Sequence, residues 1–326
     1  MVFAEYIWID GDPENTRLQS KMRVLDSAPD EAVPSGFPTW SFDATSTRQG
    51  GVHAECLLVP VCVARDPFRE DGYLVLCEVL CPGRLPHQTN TRAKLQALAE
   101  GSLKREGHRV GYEQDYTLFQ DGRPLGFPCI GAPDPDAGYY CGVGSERAFG
   151  RQVAEEHAQR CVAAGLLFAG YQAERMPGQW EFRIDAHERG GEEDVLSVAD
   201  HLWLARWILE RVGENHGIGV CFAQRPMKGG WADASLDVTF STAAMRCPSQ
   251  GLGAITDAAT LLEAASLADG AGLEISVPVT VAQKGYGHLR ALHGSPKADP
   301  YTVARRFVAA LEPEAEQPEP AAELVA

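Results

Sequence analysis

Along the first hundred residues, apolar positions either alternate with polar ones or run together in short blocks. The opening AEYIWIDG alternates and ends at a glycine, which predicts a strand followed by a turn. The blocks LLVPVCVA and YLVLCEVL predict two more strands, separated by the turn-rich ARDPFREDG. Residues 1–103 are therefore predicted to form a small β-rich domain.

Helical spacing marks the segments 90–106, 145–165 and 198–213, the second with Ser145 as a candidate N-cap. The third carries an apolar stripe of Leu202, Ala205, Leu209 and Val212. Strand-like segments alternate with these helices from residue 111 onward, so residues 104–312 are predicted to form a larger α+β domain. The tail 313–326 is rich in Pro, Glu and Ala, which predicts disorder.

Two acidic segments stand out against this pattern. In YQAERMPGQWEFRID, Glu174 and Glu181 flank a Met-Pro-Gly break that can fold two short strands together. Taken alone, they also fit two solvated carboxylates on a surface turn. In GYEQDYTLF, however, Glu113 and Asp115 share a strand face. The four acids together predict a divalent-cation site, because buried carboxylates need a counter-charge.

Several ordered segments resemble glutamine synthetase of the eukaryotic type, namely EQDYTLF, GYYCGVGSERAFGR, AGYQAERMPGQWEF, DHLWLARWILERV and the FST of TFSTAAMR. WSFDATST and VPVCVARDPFREDGYLVLCEV resemble its small N-terminal domain, and GYGHLRALHGSPKADPYTV resembles a remodelled C-terminal end. The resemblance implies an α+β fold with a β-grasp-like N-terminal domain and a catalytic domain of antiparallel sheet and flanking helices. It also implies a carbon–nitrogen ligase that uses divalent metal ions and ATP.

The resemblance implies two metal positions. Three glutamates of the family hold the first, and they match Glu113, Glu174 and Glu181. The residues matching the second set are Asp115, Asp237 and His288, with an acid in place of the family's histidine and a histidine in place of a family glutamate. Alternatively, Asp237 and His288 are unrelated surface residues. Such ligands suit magnesium or manganese, and equally iron or zinc.

The resemblance also implies a nucleotide side of the site. The glycines of GYYCGVGS, which alone indicate only a tight turn, belong to that region, and an aromatic residue stands beside adenine. The matching residues are Gly142, Gly144, Arg225, Ser241, Tyr286 and Arg290. Arg290 is also the predicted catalytic arginine.

Other family features have changed. The Trp-Asn-Gly-Ala-Gly loop that holds the amino-acid substrate reads Trp-Ala-Asp-Ala-Ser at 231–235, and the Arg-Ile-Pro-Arg segment reads Ser-Val-Pro-Val at 276–279. The segment with the substrate arginines and the His-Glu-Thr flap is missing between Thr260 and Leu273. An open site would expose an acyl-phosphate to water. Ordinary glutamine synthesis is therefore not expected, and the use of ATP stays open.

Glu55 matches an acid that, in the family, reaches the neighbouring subunit's site and deprotonates ammonium. It is a candidate general base toward an amine, and equally an ordinary exposed loop acid. The resemblance thus implies a homo-oligomer with sites between subunits.

Two main functions follow from these observations. One is a ligase of specialised metabolism that joins an amine to a carboxylate other than glutamate. The alternative is an ATP-independent dinuclear-metal enzyme acting on a small nitrogen-containing metabolite. A non-catalytic homologue is a weaker third interpretation.

The expected partner is a small-molecule substrate, and composition disfavours two other classes of partner. A net charge of -16 disfavours nucleic acid and anionic membranes. No apolar run approaches the length of a membrane span, and the start lacks a basic segment, so a cytoplasmic protein is expected. Nine cysteines without a CxxC pair predict reduced thiols.

Overall fold

The computed structural model describes residues 1–13, 15–29, 31–51, 54–98, 107–128, 133–189, 194–269 and 273–311. The predicted domain boundary between 103 and 104 and the predicted disordered tail 313–326 lie outside these residues, and both stay predictions.

Five strands form the N-terminal sheet, in the order β2-β1-β5-β4-β3. They are β1 (Val2–Ile9), β2 (Leu18–Leu25), β3 (Trp40–Asp43), β4 (Glu55–Arg65) and β5 (Gly72–Leu80). β1 and β5 run parallel, and the other neighbours are antiparallel. The three strands predicted from sequence are β1, β4 and β5, while β2 and β3 were not predicted.

The larger sheet has eight strands, with the main path β12-β13-β11-β6-β9-β8 and with β7 and β10 also paired to β6. They are β6 (Arg109–Gln120), β7 (Arg123–Pro124), β8 (Phe168–Ala173), β9 (Gln179–Asp185), β10 (Gly219–Cys221), β11 (Leu236–Ser241), β12 (Glu274–Ser276) and β13 (Leu289–His293). All its pairings are antiparallel. The predicted α+β fold class is confirmed.

Helices of the described residues pack around this sheet. They are α1 (Thr91–Leu98), α2 (Arg151–Ala163), α3 (Ala186–Arg189), α4 (Val195–His216), α5 (Gly251–Asp269), α6 (Val279–Lys284) and α7 (Pro300–Leu311). The apolar stripe predicted for α4 is fully buried. The helix is longer than predicted, because Asp194 caps the Ser197 N–H and left-handed Gly217 ends it.

Helix α2 begins at Arg151, not at the predicted Ser145. Its N-cap is Gly150 at φ 82°, in the left-handed region. A Cβ there would lie 2.4 Å from the Cδ1 atom of Leu118, so a larger residue would collide with β6.

One face of the N-terminal sheet joins the main core. Ile7, Leu74 and Leu76 are buried in the same cluster as the inner residues of α4. A buried hydrogen-bond network links α1, α4 and α7. Asp200 on α4 accepts hydrogen bonds from Arg92 Nε on α1 at 2.8 Å and from the Tyr301 hydroxyl on α7 at 2.5 Å. No helix in the described part of the chain has both the length and the apolar character needed to cross a membrane.

Candidate active site

Strand register gathers acidic side chains on one face of the larger sheet. Asp115 on β6 lies opposite Glu181 on β9, and Glu113 lies opposite both Arg183 on β9 and Asp237 on β11. Because side chains alternate with period two, all of them point to the same side. A cleft of about 250 Å³ opens there. Its lining residues are Glu113, Asp115, Tyr140, Gln172, Glu174, Glu181, Arg183, Asp233, Ser235, Asp237 and Arg290.

Among the described residues, Asp115, Glu174 and Glu181 form an acidic group in which one oxygen of each lies within 4.8 Å of the others. Glu174 directly follows β8, and its N–H donates to the Gln179 carbonyl at 2.9 Å. That bond closes the Met-Pro-Gly turn, in which Gly178 has φ 71°. The turn brings Glu174 and Glu181 to one centre.

Burial shifts the titration of all three carboxyl groups. It raises the pKa of Asp115 well above its ordinary value, with a further contribution from Glu174. It also raises the pKa of Glu174, and it raises the pKa of Glu181 to about 7 with help from Glu113. Each raised pKa means that these surroundings stabilise the ionised carboxylate less well than water does.

Polar neighbours hold these carboxylates in place. The Ser235 N–H donates to Asp115 at 2.8 Å, Gln172 Nε2 donates to Glu174 at 2.8 Å, and Arg183 Nε donates to Glu181 at 3.0 Å. These three carboxylates, two buried and that of Glu174 half-buried, offer the oxygen ligands that magnesium and manganese prefer. The group therefore fits a divalent ion.

Glu113 belongs to a different group from the one predicted. Arg290 Nη2 lies 2.5 Å from Glu113 Oε2 and also contacts Asp237 Oδ2. Burial lowers the pKa of Arg290, but Asp237 and Glu113 outweigh it and raise the value. Since one guanidinium nitrogen lies between these two carboxylates, where a shared ion would have to bind, they fit a second metal ion poorly.

The predicted ligand sets are thus regrouped. Asp115, and not Glu113, lies with Glu174 and Glu181, because Asp115 is the residue opposite Glu181 on the neighbouring strand. Glu113 is instead opposite Asp237.

His288 is the predicted ligand that the structure places elsewhere. Its ring stacks on His187, with centroids 5.6 Å apart, and it is not among the residues lining the cleft. The register explains this, because Arg290 is opposite Thr239 and His288 precedes the strand. Continuing that register puts His288 level with Ser241, four residues and roughly 13 Å along β11 from Asp237. The structure thus places His288 outside the cleft lining, and its predicted role as a metal ligand with Asp115 and Asp237 stays a prediction.

Most of the residues predicted for nucleotide binding lie outside the cleft lining. Gly142 sits in a turn, where its N–H donates to the Tyr139 carbonyl at 2.8 Å, and Gly144 has φ 102°. Ser241 is buried and accepts a hydrogen bond from Arg246 Nη1 at 2.7 Å. Tyr286 is partly exposed.

Two further predicted residues lie on the surface. Arg225 is exposed and forms an ion pair with Asp233, a residue of the cleft. Glu55, at the start of β4, is exposed opposite Asp43 on β3 and does not line the cleft of its own chain.

Several lining residues were missed by sequence reasoning. Two of them lie two positions from a predicted acid: Gln172 before Glu174 and Arg183 after Glu181. The period-two rule that paired Glu113 with Asp115 would have found them. Tyr140 comes from a loop and carries no such signal, whereas Asp233 and Ser235 lie in the loop 231–235 that the resemblance had already marked as altered.

Comparison with known proteins identifies the relationship. No family model matches the chain. A glutamine synthetase of Streptomyces viridochromogenes is 40% identical over 337 aligned residues, which cover 94% of this chain and 95% of the relative. The chain belongs to the glutamine synthetase family. Two other relatives are the chloroplastic glutamine synthetase of Chlamydomonas reinhardtii, 37% identical over 94% of this chain and 89% of its own, and the human glutamine synthetase, 44% identical over 75% and 64%.

Proposed function

We propose that this member of the glutamine synthetase family is a metal-dependent carbon–nitrogen ligase that joins an amine to a carboxylate other than glutamate, with ATP as the activating agent. The relatives support a glutamine-synthetase-like ligase. The observation that carries the proposal is the acidic group Asp115, Glu174 and Glu181 in the lining of a polar cleft, with Asp115 and Glu181 buried and Glu174 half-buried. A divalent ion held there would supply Lewis-acid polarisation of a substrate oxygen.

The altered substrate loop supports a substrate other than glutamate. Asp233, which replaces the glycine of the family's loop, lines the cleft. It accepts hydrogen bonds from Gln224 Nε2 at 3.1 Å and from Arg225 Nη2 at 3.0 Å. This paired side chain occupies a position that a glycine leaves open, so the loop offers a substrate a different surface from the one the family uses for glutamate.

The cations of the cleft support the same conclusion. The arginines among its described lining residues are Arg183 and Arg290, and both are paired with the protein's own carboxylates. Neither is positioned to bind a substrate carboxylate without giving up that pair. An amine, by contrast, is attracted by the surplus of negative charge.

The test compares substrate pairs that lack glutamate with glutamate plus ammonium. The purified protein is incubated with manganese or magnesium, ATP and pairs of carboxylic acids and amines, and both ADP and product mass are measured. We expect ADP and an amide from at least one pair without glutamate, and no glutamine from glutamate plus ammonium. Glutamine formed at a rate comparable with any other product contradicts the proposed substrate class.

The second candidate is an ATP-independent metal enzyme acting on a small nitrogen-containing metabolite. It is favoured by the segment 276–279, where the family's arginines are absent and the exposed side chains include Val277 and Val279. Phosphoryl transfer needs positive charge at the phosphates. Calorimetry with a non-hydrolysable ATP analogue separates the two functions. Micromolar affinity, about -8 kcal/mol, supports the ligase, and no binding supports the alternative.

Glu55 enters the proposal through a neighbouring subunit. Because it does not line the cleft of its own chain, it can accept a proton from the amine only in a homo-oligomer that places β4 of one chain beside the cleft of another. A cytoplasmic location remains an expectation from the sequence.

A further inference from the structure

Arg290 places a fixed positive charge where the family resemblance predicts a second divalent ion. Its Nη2 donates to Glu113 Oε2 at 2.5 Å and also contacts Asp237 Oδ2. Glu113 and Asp237 are directly opposite each other on β6 and β11. One guanidinium nitrogen thus bridges two carboxylates that the prediction had assigned to metal ions.

The core fixes the direction in which Arg290 points. Its neighbours on β13, Leu289 and Ala291, are both fully buried on the opposite face of the sheet. Because side chains alternate with period two, Arg290 points to the cleft side of the sheet. It lies opposite Thr239, two residues and roughly 7 Å along β11 from Asp237, which is within reach of an extended arginine.

A second guanidinium, that of Arg183, also flanks Glu113. Arg183 lies opposite Glu113, with Nε 3.9 Å from Glu113 Oε1 and 3.0 Å from Glu181 Oε1. Arg183 and Arg290 thus enclose Glu113 from the two sides of its strand. A divalent ion beside Glu113 would meet both positive charges at short range, where they repel it.

Charge balance agrees with one ion. Apart from the Asp233–Arg225 pair, the lining holds five carboxylates and two guanidiniums, a surplus of three negative charges when all are ionised. One divalent ion reduces the surplus to one. A second would make the cleft positive while competing with Arg290 for the same oxygens.

We propose that the cleft binds a single divalent ion, at Asp115, Glu174 and Glu181, and that Arg290 replaces the second ion between Glu113 and Asp237. This goes beyond the proposed function, since the number of ions does not depend on which carboxylate and amine are joined. A guanidinium keeps its charge at all working pH values and donates hydrogen bonds to an anionic oxygen. Unlike a metal, it offers no vacant coordination position.

Manganese titration followed by electron paramagnetic resonance tests the proposal, because free and bound Mn²⁺ are counted directly. We expect the wild-type protein to bind one Mn²⁺ per chain, with the spectrum of an isolated ion. Two ions per chain, or a spin-coupled pair, would overturn the proposal. This result is independent of turnover, so a failure to find the ligase substrate does not affect it.

Variants at Arg290 assign the cause. Arg290→Gln removes the charge and releases Glu113 and Asp237, so we expect two Mn²⁺ per chain, whereas Arg290→Lys should still bind one. Arg211→Gln, which removes an arginine paired with Glu214 on α4, is the matched control and should also bind one. A single ion in Arg290→Gln would overturn the role given to Arg290. If that variant does not fold, the wild-type count and spectrum still decide.

Discussion

At the scale of single residues, the carboxylates that suit a metal also destabilise the metal-free fold. Asp115, Glu174 and Glu181 are largely buried, and burial raises the pKa of each. Raised carboxyl pKa values mean that the folded protein favours the protonated acids and resists their ionisation. A bound cation would reverse this preference, so the proposed metal binding is expected to stabilise the fold.

The first prediction is that Glu181→Gln stabilises the metal-free protein at alkaline pH. The pKa of Glu181 is about 7 in the fold against an ordinary value of 4.5. The contribution of Glu181 to the free energy of unfolding is therefore fully present below pH 4.5. It is lost as the pH rises through 7, by about 3 kcal/mol at most. Glutamine does not ionise and keeps that stability. Denaturant unfolding at pH 8 in the presence of a chelator should show a higher free energy of unfolding for the variant; a lower one contradicts this account.

The same substitution should have the opposite effect on metal binding. Removing a side chain that hydrogen-bonds to a metal ligand lowers metal affinity roughly 10- to 100-fold. Glu181→Gln removes a proposed ligand itself, so it should weaken Mn²⁺ binding by more than this. Gln172→Ala, which removes the partner of Glu174, should fall within that range.

Glu113→Gln is the matched comparison for metal binding, because Glu113 is an acid on the same face but is paired with Arg290. It should leave the Mn²⁺ affinity within about threefold of the wild type. Calorimetric titration measures all three variants. Equal losses in Glu113→Gln and Glu181→Gln would show that the predicted grouping of Glu113 with Glu174 and Glu181 was right after all.

At the scale of elements, the sequence predicted those whose pattern is local. β1, β4 and β5 have apolar runs, and α4 has a clear stripe. β2 was missed because its side chains are only partly buried and it mixes Lys, Arg and Ser with its apolar residues. The start of α2 was misplaced because Gly150, and not a side-chain cap, begins the helix.

The candidate site depends on register between strands, which a single sequence does not contain. The acids of β6 and β9 were found from their spacing, but only the pairing of Asp115 with Glu181 decides which acid joins the metal group. His288 and Arg290 lie two residues apart, and only the pairing of β13 with β11 shows which one reaches Glu113. Spacing identified the residues, and register assigned their partners.

Helix α2 supplies a third prediction, on acid stability. His157 is fully buried against Phe168 and Phe182, with Nε2 hydrogen-bonded to the Ala205 carbonyl at 3.0 Å. Burial lowers the pKa of His157 to about 4 from 6.5. The contribution of neutral His157 to the free energy of unfolding is therefore fully present above pH 6.5. It is lost as the pH falls toward 4, by about 3 kcal/mol.

His157→Gln, which keeps a hydrogen-bond donor without the titration, is the comparison for this helix. The free energy of unfolding of the wild type minus that of the variant should decrease between pH 6.5 and 4. A difference that stays constant over this range would contradict the assigned cause.

At the scale of the whole molecule, the cleft of one chain lacks the base that the family resemblance assigns to it. Glu55 is exposed on the N-terminal sheet, away from the lining of its own cleft. If subunits share sites, Glu55→Gln should abolish turnover without changing Mn²⁺ affinity, because its defect lies in another chain's site.

The fourth prediction follows from shared sites. Glu55→Gln and Glu181→Gln are each expected to be inactive. When they are mixed after dissociation and reassembled, roughly a quarter of the sites receive both intact groups, so activity should return to that fraction. Light scattering should show an oligomer before mixing. A monomer, or no recovered activity in mixed oligomers, would remove Glu55 from the mechanism.

The most direct measurement is anomalous diffraction at the manganese edge from crystals grown with Mn²⁺. The account predicts one peak per chain, surrounded by oxygens of Asp115, Glu174 and Glu181, with Arg290 still bridging Glu113 and Asp237. A peak between Glu113 and Asp237, or no peak at the three carboxylates, would contradict the assignment of this cleft as the metal-dependent active site described above.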